Sequence, residues 1–295
     1  MSEECAARAS RTPFGRRLAD AMAAAGPLCL GVDPHPVLLR AWGLPDTAAG
    51  LESFSLTALE AAAGGECPRV AALKPQVALY ERHGSAGFAA LERLLSEARA
   101  AGVLTIADAK RGDIGSTMAG YAAAWLEDAS PLAADAVTLS PYLGFGTLTA
   151  AAETAHAAGR GVFVLALTSN PEGRDVQHVG AGEEGGAVAR RITEAAAKLN
   201  ARLAAPGEWG PVGLVVGATV AEEAARLGMR LEDVGGPLLA PGFGAQGATA
   251  AGMRAGFGPA WPQVLATSSR GILAAGPTLA GLIASLEQSR ADLGG

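Results

Sequence analysis

The residues VLTIADAKRGD (103–113) place alternating charge directly after an apolar, β-branched run. The run VLTIA is continuously apolar rather than alternating, which is typical of a parallel strand with both faces buried. Two aspartates, a lysine and an arginine then follow within the six residues DAKRGD. Core packing does not need charge at that point, and a solvated face would not adjoin such an apolar run. We therefore expect DAKRGD to be functional.

Seven other stretches of the chain have the same apolar character. With 103–108, the eight runs are 28–33, 70–75, 136–140, 162–167, 212–217, 237–241 and 263–268. Segments rich in Ala, Leu, Glu and Arg with helical spacing lie between them. Repeated βα units over 295 residues predict a closed (β/α)₈ TIM barrel as a single domain, 1–295, with a short helical lead-in at 1–26. A doubly wound open sheet is the alternative, although it usually has fewer strands.

Composition and charge exclude several classes of protein. A hydrophobic content of 49% indicates a sizeable core, and a net charge of −6 argues against nucleic-acid binding. The three cysteines, Cys5, Cys29 and Cys67, form no CxxC pair, which favours a reducing cytoplasm over a disulfide framework. Neither a signal-peptide core nor an apolar run of about 18 residues is present, so we expect a soluble cytoplasmic protein without membrane contact.

Polar residues follow the predicted strands where a barrel places its function, at the carboxyl ends and in the loops beyond them. One acidic residue at a strand end is often only a helix N-cap. That explanation becomes poor when charged residues close three successive runs. The polar residues at the ends of the first four runs and beyond the seventh and eighth are Asp33, Lys74, Asp108, Ser140, Gln246 and Arg270.

The spacing within DAKRGD suggests an array of charge. Residues two apart on an extended segment share a face, so Asp108 and Lys110 can point the same way, while Gly112 permits a turn that redirects Asp113. The array would then consist of Lys74, Asp108, Lys110 and Asp113. Unit charges about 4 Å apart interact by roughly 4 kcal/mol at an effective dielectric near 20. Flanking carboxylates would thus keep Lys110 as an ammonium, a proton donor rather than a Schiff-base nucleophile.

A second candidate site combines PGFGAQG (241–247) with SSRGIL (268–273). Its G-x-G-x-x-G pattern is a weak dinucleotide signal, because no acidic residue follows about 20 residues later. In barrels, phosphate often binds between the loops after strands seven and eight. Glycines allow close backbone approach, Arg270 supplies charge and Gln246 a hydrogen bond. We expect a ligand with a phosphate here, the alternative being glycine-rich turns beside a solvated arginine.

Other motifs carry less information. The four histidines show no metal-ligand spacing, and G-x-S-x-G, H-E-x-x-H and Walker A patterns are absent from the sequence. The turn-rich segment 168–182 after the fifth run is either a mobile lid or an ordinary surface loop.

Seven motifs together resemble the orotidine 5′-phosphate decarboxylase family in its longer bacterial form, in order between about residues 14 and 285. They are LCLGVDPHP, LKPQVALYE, ADAKRGDIGSTM, LSPYLGFG, TSNPEG, APGFGAQG and SSRGIL. The D-x-K-x-x-D pattern is the most specific of them, and we find no departure at a position that the family uses catalytically.

The resemblance implies decarboxylation of orotidine 5′-monophosphate to uridine 5′-monophosphate, without cofactor or metal. Lys110 would protonate C6 of the pyrimidine and Asp108 would lie near the substrate carboxylate, with Lys74 and Asp113 completing the charge network. The resemblance also implies a homodimer in which Asp113 and Thr117 reach the partner's site.

For substrate binding, the resemblance assigns the ribose to Asp33 and Lys74 and the pyrimidine to Ser140. The phosphate contacts would come from Gln246, Arg270 and Gly271.

Two rival functions remain open at this point. The first is a Mg²⁺-dependent 3-hexulose-6-phosphate synthase on the same barrel, which needs a glutamate ligand where this chain has Lys74. The second is a protein that binds a phosphorylated ligand without catalysis, since fold does not imply function.

Overall fold

The computed structural model describes residues 11–65 and 67–294. All eight predicted strands are present, and every strand pairing is parallel. Their bounds are β1 Leu28–Val32, β2 Ala72–Pro75, β3 Ile106–Arg111, β4 Ala136–Leu139, β5 Gly161–Leu167, β6 Val212–Val216, β7 Leu238–Pro241 and β8 Val264–Ser268.

The strands form one sheet that returns on itself. Its order is β2-β1-β8-β7-β6-β5-β4-β3, and the end strands β2 and β3 meet through parallel bridges from Leu73 to Thr105 and from Gln76 to Asp108. The predicted (β/α)₈ barrel is therefore confirmed, and the open-sheet alternative is wrong.

Helices separate the strands, as the connection between parallel neighbours requires. The α-helices are α1 Phe14–Ala25, α2 Pro36–Ala41, α3 Ala48–Ala63, α4 Val77–Glu81, α5 Gly84–Ala100, α6 Gly115–Leu126, α7 Thr149–Ala157, α8 Arg174–Gln177, α9 Val188–Leu203, α10 Ala221–Arg226, α11 Ala250–Phe257, α12 Arg270–Leu273 and α13 Leu279–Leu293. Short 3₁₀ helices span Phe145–Leu148, Pro171–Gly173, Leu231–Asp233 and Gly258–Gln263. Within the described residues, none of the helices is long and apolar enough to cross a membrane.

The core has two layers because successive side chains of a strand point to opposite faces. In β1, Leu28 and Leu30 belong to the layer between the sheet and the helices, whereas Cys29 points into the barrel. The barrel interior also contains Ile106 and Phe163. Burial on both faces explains why the strand sequences are continuously apolar.

Helix α1 closes the amino end of the barrel. Phe14 and Leu18 are buried among the interior side chains, and the Phe14 ring meets Phe163 edge to face with centroids 6.0 Å apart. Arg17 fixes the helix through an ion pair with Asp135 at 2.6 Å, just before β4. The predicted lead-in helix is thus confirmed over Phe14–Ala25, while residues 1–10, including Cys5, lie outside the described residues.

Strand β3 differs from its prediction at both ends. It begins at Ile106 rather than 103, and it continues through Lys110 to Arg111 instead of ending at Asp108. Its register against β4 passes from Ala107 opposite Val137 to Arg111 opposite Leu139. The strand therefore bulges across the charged residues, and most of DAKRGD belongs to the barrel wall rather than to a loop.

Candidate active site

A cavity of about 550 Å³ opens at the carboxyl ends of the strands. Six of the predicted site residues line it, and they come from strands or loops on both sides of the barrel. They are Asp33, Lys74, Asp108, Lys110, Gln246 and Arg270. The charged residues and the glycine-rich loops of the two predicted sites thus share one cavity.

Asp108 is the centre of the charged group. Its Oδ2 accepts hydrogen bonds from Lys74 Nζ at 2.8 Å and Gln76 Nε2 at 3.1 Å. Its Oδ1 accepts from Lys110 Nζ at 2.5 Å and from the Thr138 hydroxyl at 3.0 Å. Side chains of three adjacent strands and the residue after β2 therefore fix the orientation of one carboxylate.

The charges at this centre stabilise one another. Burial alone would raise the pKa of Asp108, but the ammonium groups of Lys74 and Lys110 hold it well below its usual range. Burial alone would lower the pKa of Lys74, but the charges of Asp108 and Asp33 raise it above its ordinary value. Asp108 is therefore an anion and Lys74 a cation at neutral pH.

The two lysines differ in access to the cavity. The side chain of Lys74 is 5% exposed and that of Lys110 is 46% exposed, although both pair with Asp108. Lys110 also has a left-handed backbone, with φ of 48°, and donates its N–H to the Thr138 hydroxyl at 2.9 Å. This conformation costs a lysine about 1–2 kcal/mol. The Lys110 ammonium lies on the side of Asp108 that opens to the cavity.

Asp33 and Ser269 line the same cavity and each has a buried polar atom. Within the described part of the chain, Asp33 Oδ1 and Ser269 Oγ are buried and have no hydrogen-bond partner. Buried polar atoms are usually paired. These two atoms are therefore candidates for contacts with a polar ligand.

The loop after β7 folds tightly beside the start of α12. Gly244 donates its N–H to Ala248 O at 2.9 Å, and Gly242 and Gly247 have φ of 120° and 94°, which strongly favour glycine. Gln246 in this loop and Arg270 at the start of α12 line the cavity. The arrangement presents an amide, a guanidinium and exposed backbone, the groups that bind phosphate in barrel folds.

The segment 168–182 after β5 folds back on its own first residue through side-chain hydrogen bonds. Gln177 of α8 accepts from the Thr168 N–H at 2.9 Å and donates to its hydroxyl at 2.8 Å. Thr168, Ser169 and Asn170 line the cavity. The start of the segment therefore contributes to the lining of the cavity, and the movement of the segment as a lid stays a prediction.

Four predicted site residues lie outside the lining of this cavity. The Asp113 carboxylate accepts a hydrogen bond from the Ile114 N–H at 2.8 Å, so it does not complete the array around Asp108 within its own chain. The other three residues are exposed or half-buried. These four residues are Asp113, Thr117, Ser140 and Gly271.

Sequence reasoning missed two residues that contact Asp108. Gln76 lies two positions after Lys74, so its place on the same face was readable from the strand period. Thr138 lies inside the apolar run AVTLS and its sequence context contains no comparable signal. Its hydroxyl is buried and links the Lys110 backbone to the Asp108 carboxylate.

The donor set does not resemble a cation site. Among residues 11–65 and 67–294, no group of three or more His, Cys, Asp and Glu side chains is placed to hold a metal ion. The oxygens of Asp108 face two ammonium groups, which would repel a divalent cation.

Comparisons with known proteins cover almost the whole chain. Residues 26–280 match the model of the family described as "Orotidine 5'-phosphate decarboxylase / HUMPS family". The chain is 54% identical over 280 residues to the orotidine 5′-phosphate decarboxylase of Salinispora arenicola, a match that covers 95% of this chain and 96% of the relative.

Solved structures match over the same extent. A crystal structure from Streptomyces avermitilis has a TM-score of 0.89 and 48% sequence identity, and the match covers 96% of this chain and 95% of the other. The OMP decarboxylase of Leishmania donovani has a TM-score of 0.73 and 28% identity, with 96% of this chain and all of the other covered.

Proposed function

The chain belongs to the orotidine 5′-phosphate decarboxylase / HUMPS family, and on this basis we propose that it converts orotidine 5′-monophosphate (OMP) to uridine 5′-monophosphate (UMP) and CO₂. The observation that carries the proposal is the accessible Lys110 ammonium, held at 2.5 Å by a carboxylate that three other donors fix in place. A cationic proton donor of this kind suits a reaction that creates negative charge on carbon.

The chemistry follows from the charges. The bond between C6 and the carboxylate carbon breaks, CO₂ leaves, and the electron pair stays on C6. The carbanion has no adjacent carbonyl to delocalise it, so its stabilisation must be electrostatic. The Lys110 ammonium stabilises this charge and donates its proton to C6, and the neutral amine then regains a proton from water.

Asp108 has two roles in this proposal. Its carboxylate orients the Lys110 ammonium, and it lies near the substrate carboxylate, whose departure as CO₂ removes a repulsion. Lys74, Gln76 and Thr138 keep Asp108 in position through their hydrogen bonds. The fixed geometry means that little reorganisation is needed when charge moves to C6.

The remaining contacts orient the nucleotide. We assign the ribose to Asp33 and Lys74, supported by the buried, unpartnered Oδ1 of Asp33 among the described residues. The phosphate is assigned to Arg270, Gln246 and the loop beside them, and phosphate binding there contributes to the rate through remote contacts. Ser140 and Gly271 stay in the proposal as pyrimidine and phosphate contacts, on the resemblance alone.

A homodimer completes the site in this proposal. Asp113 lies outside its own cavity, as a residue that serves a partner subunit would. Large apolar side chains are exposed in the loops after the paired strands β3 and β4: Ile114, next to Asp113 in the chain, is 60% exposed, and Tyr142 and Leu143 are 77% and 52% exposed. Such a patch is typical of a protein interface. We therefore propose that Asp113 and Thr117 enter the partner's cavity across this patch.

Mixed dimers test this arrangement. Lys110→Ala and Asp113→Ala should each be inactive alone. In a mixed dimer one site receives both changes and the other neither. Random mixing after dissociation should therefore restore about a quarter of wild-type activity, because half of the dimers are mixed and half of their sites intact. No recovery from subunits shown to exchange, or a monomer under assay conditions, would contradict the shared site.

The proposal also includes catalysis without a metal or cofactor and a cytoplasmic location. The first is supported by the pairing of Asp108 with two ammonium groups. The second is supported by the low cysteine content of the sequence.

The decisive assay follows OMP absorbance with purified protein in excess chelator. Wild type should consume OMP, and Lys110→Ala should lose turnover while remaining folded and still binding UMP. No spectral change at micromolar wild-type enzyme would refute the decarboxylase. OMP consumption that is lost in chelator would contradict catalysis without a metal. Undiminished activity of Lys110→Ala would leave the charged group without a catalytic role.

A further inference from the structure

Arg111 follows Lys110 in β3, and the proposed reaction assigns it no part. Its side chain points away from the cavity, as expected for the strand neighbour of an inward residue. The guanidinium forms an ion pair with Glu81 at the end of α4. It also lies 5.7 and 6.0 Å from the ring centroids of Tyr121 and Trp125 in α6. A carboxylate and two aromatic rings therefore hold it in one place.

From this position the guanidinium reaches back to its own strand. Nη1 of Arg111 donates a hydrogen bond to the carbonyl of Ala109 at 3.0 Å. Ala109 precedes Lys110 and Arg111 follows it, so this bond spans the Lys110 backbone. The bulge leaves three residues of β3, numbers 108–110, opposite Thr138 alone. The Arg111 side chain thus supplies a hydrogen-bond donor where the backbone pairing of β3 with β4 is interrupted.

Strand β4 holds the other side of the same segment. The Arg111 carbonyl accepts from the Ser140 N–H at 2.7 Å, and the Lys110 N–H donates to the Thr138 hydroxyl at 2.9 Å. A left-handed lysine persists only where its surroundings impose the conformation. Here the surroundings are β4 on one side and the Arg111 guanidinium on the other.

We infer that Arg111, anchored by Glu81, is a positioning residue: it fixes the left-handed backbone of Lys110 and thereby directs the ammonium onto Asp108 and into the cavity. The kinetic test of this inference rests on the proposed decarboxylase activity. The role differs from that of Lys74 or Thr138, because Arg111 acts from outside the barrel wall and does not line the cavity.

Arg111→Met tests the inference, because methionine keeps an apolar stem beside the aromatic rings and removes the guanidinium. We expect kcat to fall by about 10- to 100-fold, the loss that a misplacement of about 1 Å can cause. The KM for OMP and the Kd for UMP should change by less than about threefold, because ribose and phosphate contacts lie elsewhere. A merely structural role would not separate kcat from binding in this way.

Arg93→Met is the matched control. Arg93 of α5 pairs with Glu52 of α3 at 2.9 Å, away from β3, so its loss should leave kcat unchanged. Glu81→Gln is the second variant: it keeps the guanidinium but removes its anchor, and it should lower kcat by a smaller factor than Arg111→Met.

Two results would overturn the inference. One is a folded Arg111→Met enzyme with kcat within twofold of wild type, and the other is a loss of UMP affinity as large as the loss of kcat. If Arg111→Met does not fold, Glu81→Gln is judged instead by the same two criteria, its kcat and its affinity for UMP. Failure of the proposed function is distinguishable, because wild type itself would then leave OMP unchanged.

Discussion

Asp108→Asn measures how far the buried ion pair stabilises the fold. Lys74 Nζ and Asp108 Oδ2 are 2.8 Å apart, with side chains 5% and 9% exposed. Unit charges at that distance attract by roughly 6 kcal/mol at an effective dielectric near 20. An asparagine oxygen still accepts a charge-assisted hydrogen bond worth about 2–3 kcal/mol. The net loss is therefore about 3–4 kcal/mol, in the range for breaking a buried pair.

The free energy of unfolding from urea titrations gives this loss directly. We expect a decrease of about 3–4 kcal/mol at pH 7 and a Tm lower by about 5–7 °C. The pair with Lys110 adds little, because that ammonium is 46% exposed and screened by solvent. Asp20→Asn is the control: it breaks a surface pair with Arg16 in which both side chains are more than half exposed, and it should leave Tm unchanged.

The free energy of unfolding that Asp108→Asn loses should depend on pH in a direction set by the two pKa shifts. The pKa of Asp108 is depressed in the folded protein, so its stabilisation is present above the unfolded value near 4 and is lost as pH falls toward the folded value. The pKa of Lys74 is raised, so its stabilisation is lost only above about pH 10.5, as pH rises through the folded value. The difference between wild type and Asp108→Asn should therefore be constant between about pH 5 and 9 and shrink below pH 4.

A double-mutant cycle decides whether the pair itself is responsible. Lys74→Met removes the buried cation that Asp108→Asn leaves unpaired, so the double variant should be at least about 2 kcal/mol more stable than the sum of the single losses predicts. Additivity within about 0.5 kcal/mol would refute the reasoning. So would a wild-type advantage that grows as pH falls below 4.

Three further outcomes follow from other parts of the structure. Phe14→Ala should lower the free energy of unfolding by about 3–4 kcal/mol and leave kcat unchanged, because Phe14 packs on Phe163 at the end of the barrel opposite the cavity. A loss of kcat in a variant of full stability would contradict this. Burial raises the pKa of the Cys29 thiol to about 12, so alkylation of native protein at pH 8 should modify Cys67 and leave Cys29 intact. Peptide mass spectrometry measures both, and early labelling of Cys29 would contradict the burial of this thiol. Arg270→Met should lower kcat/KM for OMP by about 10- to 100-fold through loss of a charge-assisted phosphate contact, and steady-state kinetics with an unchanged kcat/KM would exclude Arg270 from the phosphate site.

The barrel was predictable because burial on both faces imposes a local pattern. Each strand of the closed sheet is covered by side chains inside and helices outside, so its sequence is apolar at most positions on both faces. The course of β3 was not predictable in the same way. Its last residues are charged, yet they stay in the wall because Gln76 bridges to Asp108 on one side and the Ser140 N–H bonds to the Arg111 carbonyl on the other. Pairing between distant segments decided that boundary.

The site was predictable where spacing along one strand sufficed. Asp108 and Lys110 share a face because they lie two apart, and the structure joins them at 2.5 Å. Thr138 is different, because its role exists only once β4 lies beside the bulge of β3. The left-handed backbone of Lys110 was equally invisible, since lysine rarely adopts it and no glycine marks the position.

The placement of the charges in a strand rather than a loop bears on how the site can work. A loop lysine would have to be ordered when charge forms on C6, and that ordering would raise the barrier. The β3 bulge has already ordered it: the unfavourable backbone of Lys110 and the desolvation of Lys74 are costs met when the protein folds, and the barrel core offsets them. Because Phe14 and Leu18 close the opposite end of the barrel, much of that core lies away from the cavity. The barrel can therefore hold the strained, charged residues around Asp108 rigid at one end, because packing at the other end supplies the stability.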